Sequence, residues 1–287
     1  MSTQLKSDIV LILVTMVWGT TFIIVKNAIQ TLPVYNFLFI RFLLAFLLLT
    51  IIFHKKLKTI DKKTLAVASV IGAMLFLGYA FQTMGLKYTT ASKSGFISGF
   101  SVVLVPILEA VFLKRKPSKS SILGIVLAFI GLILLTANID LSINIGDFLT
   151  LLCAFAFGMQ IVLIAKYAST LDTYLLATIQ IGIVALLSGI ITLLLEKPFV
   201  PTSFNVWAAI VITGVFATAF AIVAQNTMQA YTTATHAALI FALEPVFAAI
   251  AAFLIGGEVM SFRAILGGIF MFTGIVLSEL PEKETGK

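Results

Sequence analysis

Ten apolar runs follow one another along 287 residues, each about as long as a lipid bilayer's hydrocarbon core is thick. They fall at about 8–29, 35–54, 64–86, 92–113, 119–138, 147–168, 173–195, 205–228, 234–256 and 261–280. At a rise of 1.5 Å per residue, about 20 residues span that core as a helix. The runs are continuous and lack the period-two alternation of barrel strands, so they predict helices. The turns between them are short and carry Gly, Pro, Asn, Asp, Lys and Arg, which mark helix boundaries. Only 11% of the residues are charged, about half of what a soluble domain needs to cover its surface. The expected fold is an all-α integral membrane protein with ten transmembrane helices. Residues 9–25 look like a hydrophobic signal core, but Trp18-Gly19-Thr20-Thr21-Phe22 runs on toward Lys26 without a convincing cleavage site, so this segment reads as the first membrane helix.

The formal charge of +7 does not point to nucleic acid, because the basic residues sit in the short turns. With a cytoplasmic N-terminus, thirteen Lys and Arg fall on the inside, among them Lys55, Lys56, Lys114, Arg115, Lys116, Lys283 and Lys287, against five outside. This bias selects cytoplasmic N- and C-termini in a multi-pass cell-membrane protein. The single Cys153 lies within an apolar run and reads as a small buried hydrophobe.

The chain also repeats itself. A shift of 143 places Gln82 on Gln225 and Tyr88-Thr89-Thr90-Ala91 on Tyr231-Thr232-Thr233-Ala234. The same shift brings Ser118 to Ser261, Gly124 to Gly267 and Gly131 to Gly274, while a shift of 139 brings Asp8 to Asp147, Gly19 to Gly158 and Tyr35 to Tyr174. Residues 1–143 and 144–287 therefore read as two five-helix repeats. Five is odd, so the second copy enters the membrane from the opposite side, and the repeats are inverted. Inverted repeats are a recurring plan of secondary transporters.

These residues resemble the EamA-type members of the drug/metabolite transporter superfamily, over nearly the whole chain. The resemblance is carried by Trp18-Gly19 and Phe22, by Pro33 with Arg41, and most strongly by Glu244-Pro245, Gly257-Glu258, Ser261, Gly267 and Gly274. The first repeat departs from it: Lys114-Arg115-Lys116-Pro117 stands where Gly257-Glu258 stands in the second. The resemblance implies ten helices and transport of small organic solutes, often export of amino acids or related metabolites.

Ionisable groups inside a bilayer are costly and mark function by default. Glu244 lies near mid-membrane and precedes Pro245, which favours a kinked or broken helix and suits the carboxylate to a substrate amine or a proton. His236, eight residues earlier, is a candidate for proton coupling or a solvated helix cap. Glu109 is expected to pair with Lys114 or Arg115 at the interface, and Arg41 to snorkel outward, to form a structural ion pair, or to anchor an anion. The uncharged candidates for substrate binding are Trp18, Tyr79, Gln82, Gln160, Gln225 and Asn226. The amides among them serve equally well as hydrogen-bonding glue between helices. The two histidines, His54 and His236, lie on different helices, and no nucleophile motif, metal cluster or phosphate loop appears, so an enzyme and a cofactor are not expected. The expectation is a secondary transporter or uniporter with a small-molecule substrate and a lipid surround, compatible with a homodimer. A channel or a membrane sensor is the alternative.

Overall fold

The computed structural model describes residues 3–136, 144–256 and 261–278, and every regular element among them is helical. The earlier part of the chain forms α1 (Thr3–Ala28), α2 (Val34–Ile52), the short α3 (His54–Leu57), α4 (Lys62–Gly85), α5 (Ala91–Gly99), α6 (Ser101–Phe112) and α7 (Lys119–Thr136). The later part forms α8 (Ile145–Tyr167), α9 (Thr173–Leu195) and α10 (Phe204–Gly214). A π-helical turn, Val215–Phe220, then joins α10 to α11 (Ala221–Gln229), and α12 (Ala234–Phe241), α13 (Glu244–Gly256) and α14 (Phe262–Ser278) complete the chain. Among the described residues, eight helices are long and apolar enough to cross a membrane, with consecutive pieces such as Phe204–Gln229 counted as one. Two shorter apolar helices, Lys119–Leu134 and Phe262–Ser278, stand at the fifth and tenth apolar runs.

The distribution of side chains is that of a membrane protein. Ile51, Leu193, Leu194, Leu254 and Phe262 are each more than 70% exposed. Thr15, Gln160, Gln180, Thr218 and Asn226 are fully or almost fully buried. Polar groups turn inward because hydrocarbon offers them no hydrogen bonds. The helix starts are capped by short polar side chains: Thr90 accepts from the Lys93 N–H, Thr233 from the His236 N–H, and Asn144 forms a capping box with Asp147.

Two helices are discontinuous. The chain turns at Ala242 and Leu243 between α12 and α13, so that Glu244 opens the second piece and Pro245 follows. Proline has no N–H to give, which is why the helix restarts there. The equivalent helix of the earlier part is interrupted at Phe100, and Ser101, which stands 143 residues before Glu244, opens α6. No proline marks that second break. Gly99 precedes it, and a Cβ on that glycine would lie 3.7 Å from the Pro245 ring.

α7 packs against α14 along a seam of glycines. A Cβ on Gly124 would come within 2.5 Å of the Gly274 carbonyl oxygen, and one on Gly131 within 2.5 Å of the Gly267 carbonyl oxygen. The earlier glycine of each helix thus meets the later glycine of the other, the pattern of an antiparallel crossing. Gly131→Val forces a branched side chain into a backbone carbonyl. It is expected to lower the thermal midpoint of the detergent-purified protein by the equivalent of about 1–3 kcal/mol, with Gly131→Ala intermediate. A Val variant as stable as the parent would show that the seam yields.

Asp172 caps α9, accepting from the N–H groups of Tyr174 and Leu175, and pairs with Lys56. Burial alone would raise its pKa, but the hydrogen bonds from Lys56, Leu175 and Tyr174 outweigh it and hold the carboxyl below its ordinary value of 3.8. This contribution to stability is therefore complete above that value and is lost as pH falls through the lower, folded value. Asp172→Ala is expected to cost about 1 kcal/mol at neutral pH. Asp172→Asn keeps the cap and is expected to lose less, with a flatter stability profile in acid, measured by denaturation across pH.

Candidate functional site

A cavity with about 840 Å³ of atom-free space, its mouth included, lies among α1, α2, α4, α8 and α11 and the two broken helices. Its walls are mostly aromatic and aliphatic, from Trp18, Phe22, Leu75, Tyr79, Phe157 and Phe241. Both residues that open the second pieces of the broken helices, Ser101 and Glu244, face it. The Glu244 carboxylate makes no hydrogen bond or ion pair among the described residues. α1 reaches this point closely because residue 19 is glycine: a Cβ there would lie 2.5 Å from the Glu244 carbonyl oxygen.

Tyr79 stands edge-on to Phe42 and Phe157, with ring centroids 4.9 and 5.2 Å away. Trp18 leans on Phe241 and donates its indole N–H to the Ala217 carbonyl at 2.9 Å. That carbonyl belongs to the π-helical turn, whose wider winding leaves backbone groups open to side chains. Thr218, in the same turn, donates to the Thr213 carbonyl at 2.8 Å and accepts from Arg41 Nε at 2.8 Å.

The sequence candidates separate in the structure. Trp18, Tyr79, Gln82, Gln160, Gln225 and Glu244 line the cavity, and the Gln82 amide makes no hydrogen bond among the described residues. Gln160 and Gln225 exchange amide hydrogen bonds at 3.3 and 3.1 Å, so these two also tie α8 to α11. Asn226 is fully buried and away from the cavity. It accepts from Gln180 at 2.8 Å and donates to the Ile222 carbonyl, so the glue reading describes it. His236 is 4% exposed and also away from the cavity, which corrects the expectation of a solvated cap. The break at Ala242–Leu243 separates it from Glu244.

Two other expectations change. Arg41 does not snorkel: it is 3% exposed and faces the cavity. Glu109 does not pair with Lys114 or Arg115. Its Oε2 accepts from the Thr235 N–H at 2.9 Å and hydroxyl at 2.6 Å, satisfying donors at the start of α12 that would otherwise be orphaned in the membrane. Gly257 and Glu258 lie outside the described residues, as do Lys283 and Lys287.

Sequence reasoning used Asp8 and Asp147 only as markers of the repeat, yet they organise the two ends of the molecule. Asp147 pairs with Lys93 at 2.7 Å and accepts from Thr89 at 2.8 Å, and both partners of the ion pair are buried. Asp8 lies 3.3 Å from His236 Nε2, whose Nδ1 meets Ser278 at 2.8 Å, and Gln4 bridges Asp8 to Thr232. Thr89 and Thr232, like Lys93 and His236, are 143 residues apart. Lys26, near the end of α1, donates to the Thr89 carbonyl at 3.0 Å. Asp8 and Lys26 are eighteen residues apart on one helix, so the two clusters are separated by about 27 Å, close to the thickness of the hydrocarbon core.

The EamA-like transporter family matches residues 5–137 and again residues 144–280. An uncharacterized transporter of Archaeoglobus fulgidus is 34% identical over 277 residues, covering 96% of this chain and 87% of that protein. The uncharacterized transporter YyaM of Bacillus subtilis is 28% identical over 245 residues, covering 81% of this chain and 79% of its own. A crystal structure of a protein with 15% sequence identity superposes with a TM-score of 0.77 over 96% of each chain, which establishes likeness of fold. The chain is a multi-pass membrane protein and belongs to the EamA-like transporter family.

Proposed function

We propose that the protein is a secondary transporter or uniporter that moves small amphipathic metabolites, amino acids or related compounds, across the cell membrane by alternating access, in the direction of export. The observation that carries this reading is the aromatic-walled cavity at two helix breaks, with the buried Lys93–Asp147 ion pair beyond it at one end and the Asp8–His236 contact at the other. Glu244 is a carboxylate without a partner among the described residues, which suits a substrate amine. The aromatic walls suit an apolar side chain. Broken helices at mid-membrane are where transporters of inverted-repeat design hold their cargo.

Alternation is assigned to the two end clusters, with Lys93–Asp147 and Asp8–His236 parting in turn. Their matched positions in residues 1–143 and 144–287 support reading those segments as inverted repeats that exchange conformations. The excess of Lys and Arg in turns on one side supports cytoplasmic termini.

Counterflow into proteoliposomes preloaded with amino acids and related metabolites tests the reading. Saturable uptake accelerated by preloading, and reduced about tenfold or more by Trp18→Ala or Gln82→Ala, is expected. Rapid, unsaturable uptake indifferent to preloading would establish a channel instead. Proton coupling at Glu244 requires that Glu244→Gln flatten the pH profile of uptake, and an unchanged profile removes that role.

The end clusters have their own test. With cysteines in place of Lys93 and Asp147, or of Asp8 and His236, bridging either pair with a short cleavable thiol crosslinker is expected to stop exchange, and cleavage to restore it. Exchange that continues at the full rate through a bridged end would show that this end need not open.

A further inference from the structure

Arg41 is a full positive charge inside the membrane-spanning body, and its surroundings do not neutralise it. No ion pair joins it to any carboxylate among the described residues. Its Nε donates to Thr218, and the Tyr79 hydroxyl lies close enough to accept from the guanidinium as well. The group carries five N–H donors in a rigid fork. Thr218 and Tyr79 together engage only part of the fork, which leaves terminal N–H donors on a side chain that lines the cavity. The flat face of the fork is held by aromatic rings, with its central carbon 4.8 Å from the Tyr79 centroid and 5.3 Å from that of Phe42. The ring faces stabilise the cation without themselves taking up its N–H donors.

A structural arginine at such a depth would be expected to commit its donors to carbonyls or carboxylates, since leaving them unmade is costly. Here the π-helical turn supplies one acceptor and the Tyr79 hydroxyl another, and the cavity is left to supply the rest. We propose that Arg41 is the docking point for the carboxylate of the transported metabolite, which it receives through both terminal nitrogens. The assignment rests on the cavity being the substrate site. A planar carboxylate matches the two parallel N–H donors of the fork. A phosphate matches them too, but its extra negative charge would share the same confined space with the Glu244 carboxylate. A substrate with one carboxylate and one amine satisfies both groups at once.

The experiment uses Trp18 as reporter, since it lines the cavity and bonds to Ala217, the neighbour of the threonine that holds Arg41. Trp207→Phe removes the only other tryptophan. In that background, fluorescence titrations compare leucine, 4-methylpentanoate (which lacks the amine) and leucinamide (which lacks the carboxylate). The expected result is that the parent binds leucine more tightly than leucinamide. Arg41→Gln should weaken leucine and 4-methylpentanoate by about 10- to 100-fold while changing leucinamide little. Arg41→Lys keeps the charge and loses the fork, and should recover only part of the affinity. Leucinamide binding as tightly as leucine to the parent overturns the assignment, whether or not the Arg41 variants fold. Equal weakening of all three probes in a folded Arg41→Gln protein overturns it as well, because it marks a structural role. If leucinamide alone binds, the amine site at Glu244 stands and Arg41 does not. If none of the three binds, both fall.

Discussion

Hydrocarbon supplies no hydrogen bonds, and a backbone group left open inside it costs several kcal/mol. A helix that stops in mid-membrane releases such groups, so a break is tolerable only where protein or a wet cavity covers it. Among the described residues there are three interruptions of this kind: at Phe100, at Ala242–Leu243, and at the π-helical turn Val215–Phe220. All three are answered from within. Trp18 and Thr218 take up carbonyls of the widened turn and its approach, and Ser101 and Glu244 open the restarted helices facing the cavity. Cavity and irregular backbone are thus one feature. The same requirement explains Glu109, which is buried and caps the equally buried start of α12 from another helix.

Much of the architecture was legible because the bilayer makes it so. Lipid demands long apolar runs, and those runs mark where the helices lie. The break before Glu244 was legible because a proline announced it. Its counterpart at Phe100 was not, since no proline stands there and the surroundings of Gly99, which include Leu132 and Pro245, come from residues distant in sequence. The π-helical turn has no sequence signature of its own. Among the site candidates, burial at mid-membrane was readable from position along each run, and six of the seven residues expected to bind substrate line the cavity. Partner identity was not readable. Whether Asn226 faces a cavity or a glutamine, or Glu109 a lysine or a helix end, is decided by which helices become neighbours. Asp8 and Asp147 show the same limit: each stands at the start of its helix, and the residue that meets it begins a helix far along the chain.

The backbone scaffold is closely matched between positions about 140 apart. The glycine seam of α7 and α14 is reciprocal, Thr90 and Thr233 cap their helices alike, and both broken helices restart at equivalent residues. The charges that line the cavity are not matched. Glu244 stands opposite Ser101 in the register, and Arg41 opposite Gln180. These two facts answer different demands of the proposed cycle. Opening to one side and then the other requires two arrangements of similar free energy, because a large gap would trap the protein in one of them. Like-for-like contacts in the backbone and at the seam bring those energies together. A small metabolite has no two-fold axis, however. A lining with matched charges would offer it two equivalent poses, each meeting half of the available groups. Placing the carboxylate in one half and the guanidinium in the other leaves a single pose that satisfies both, so departure from symmetry at the site is as much a requirement as symmetry in the frame that carries it.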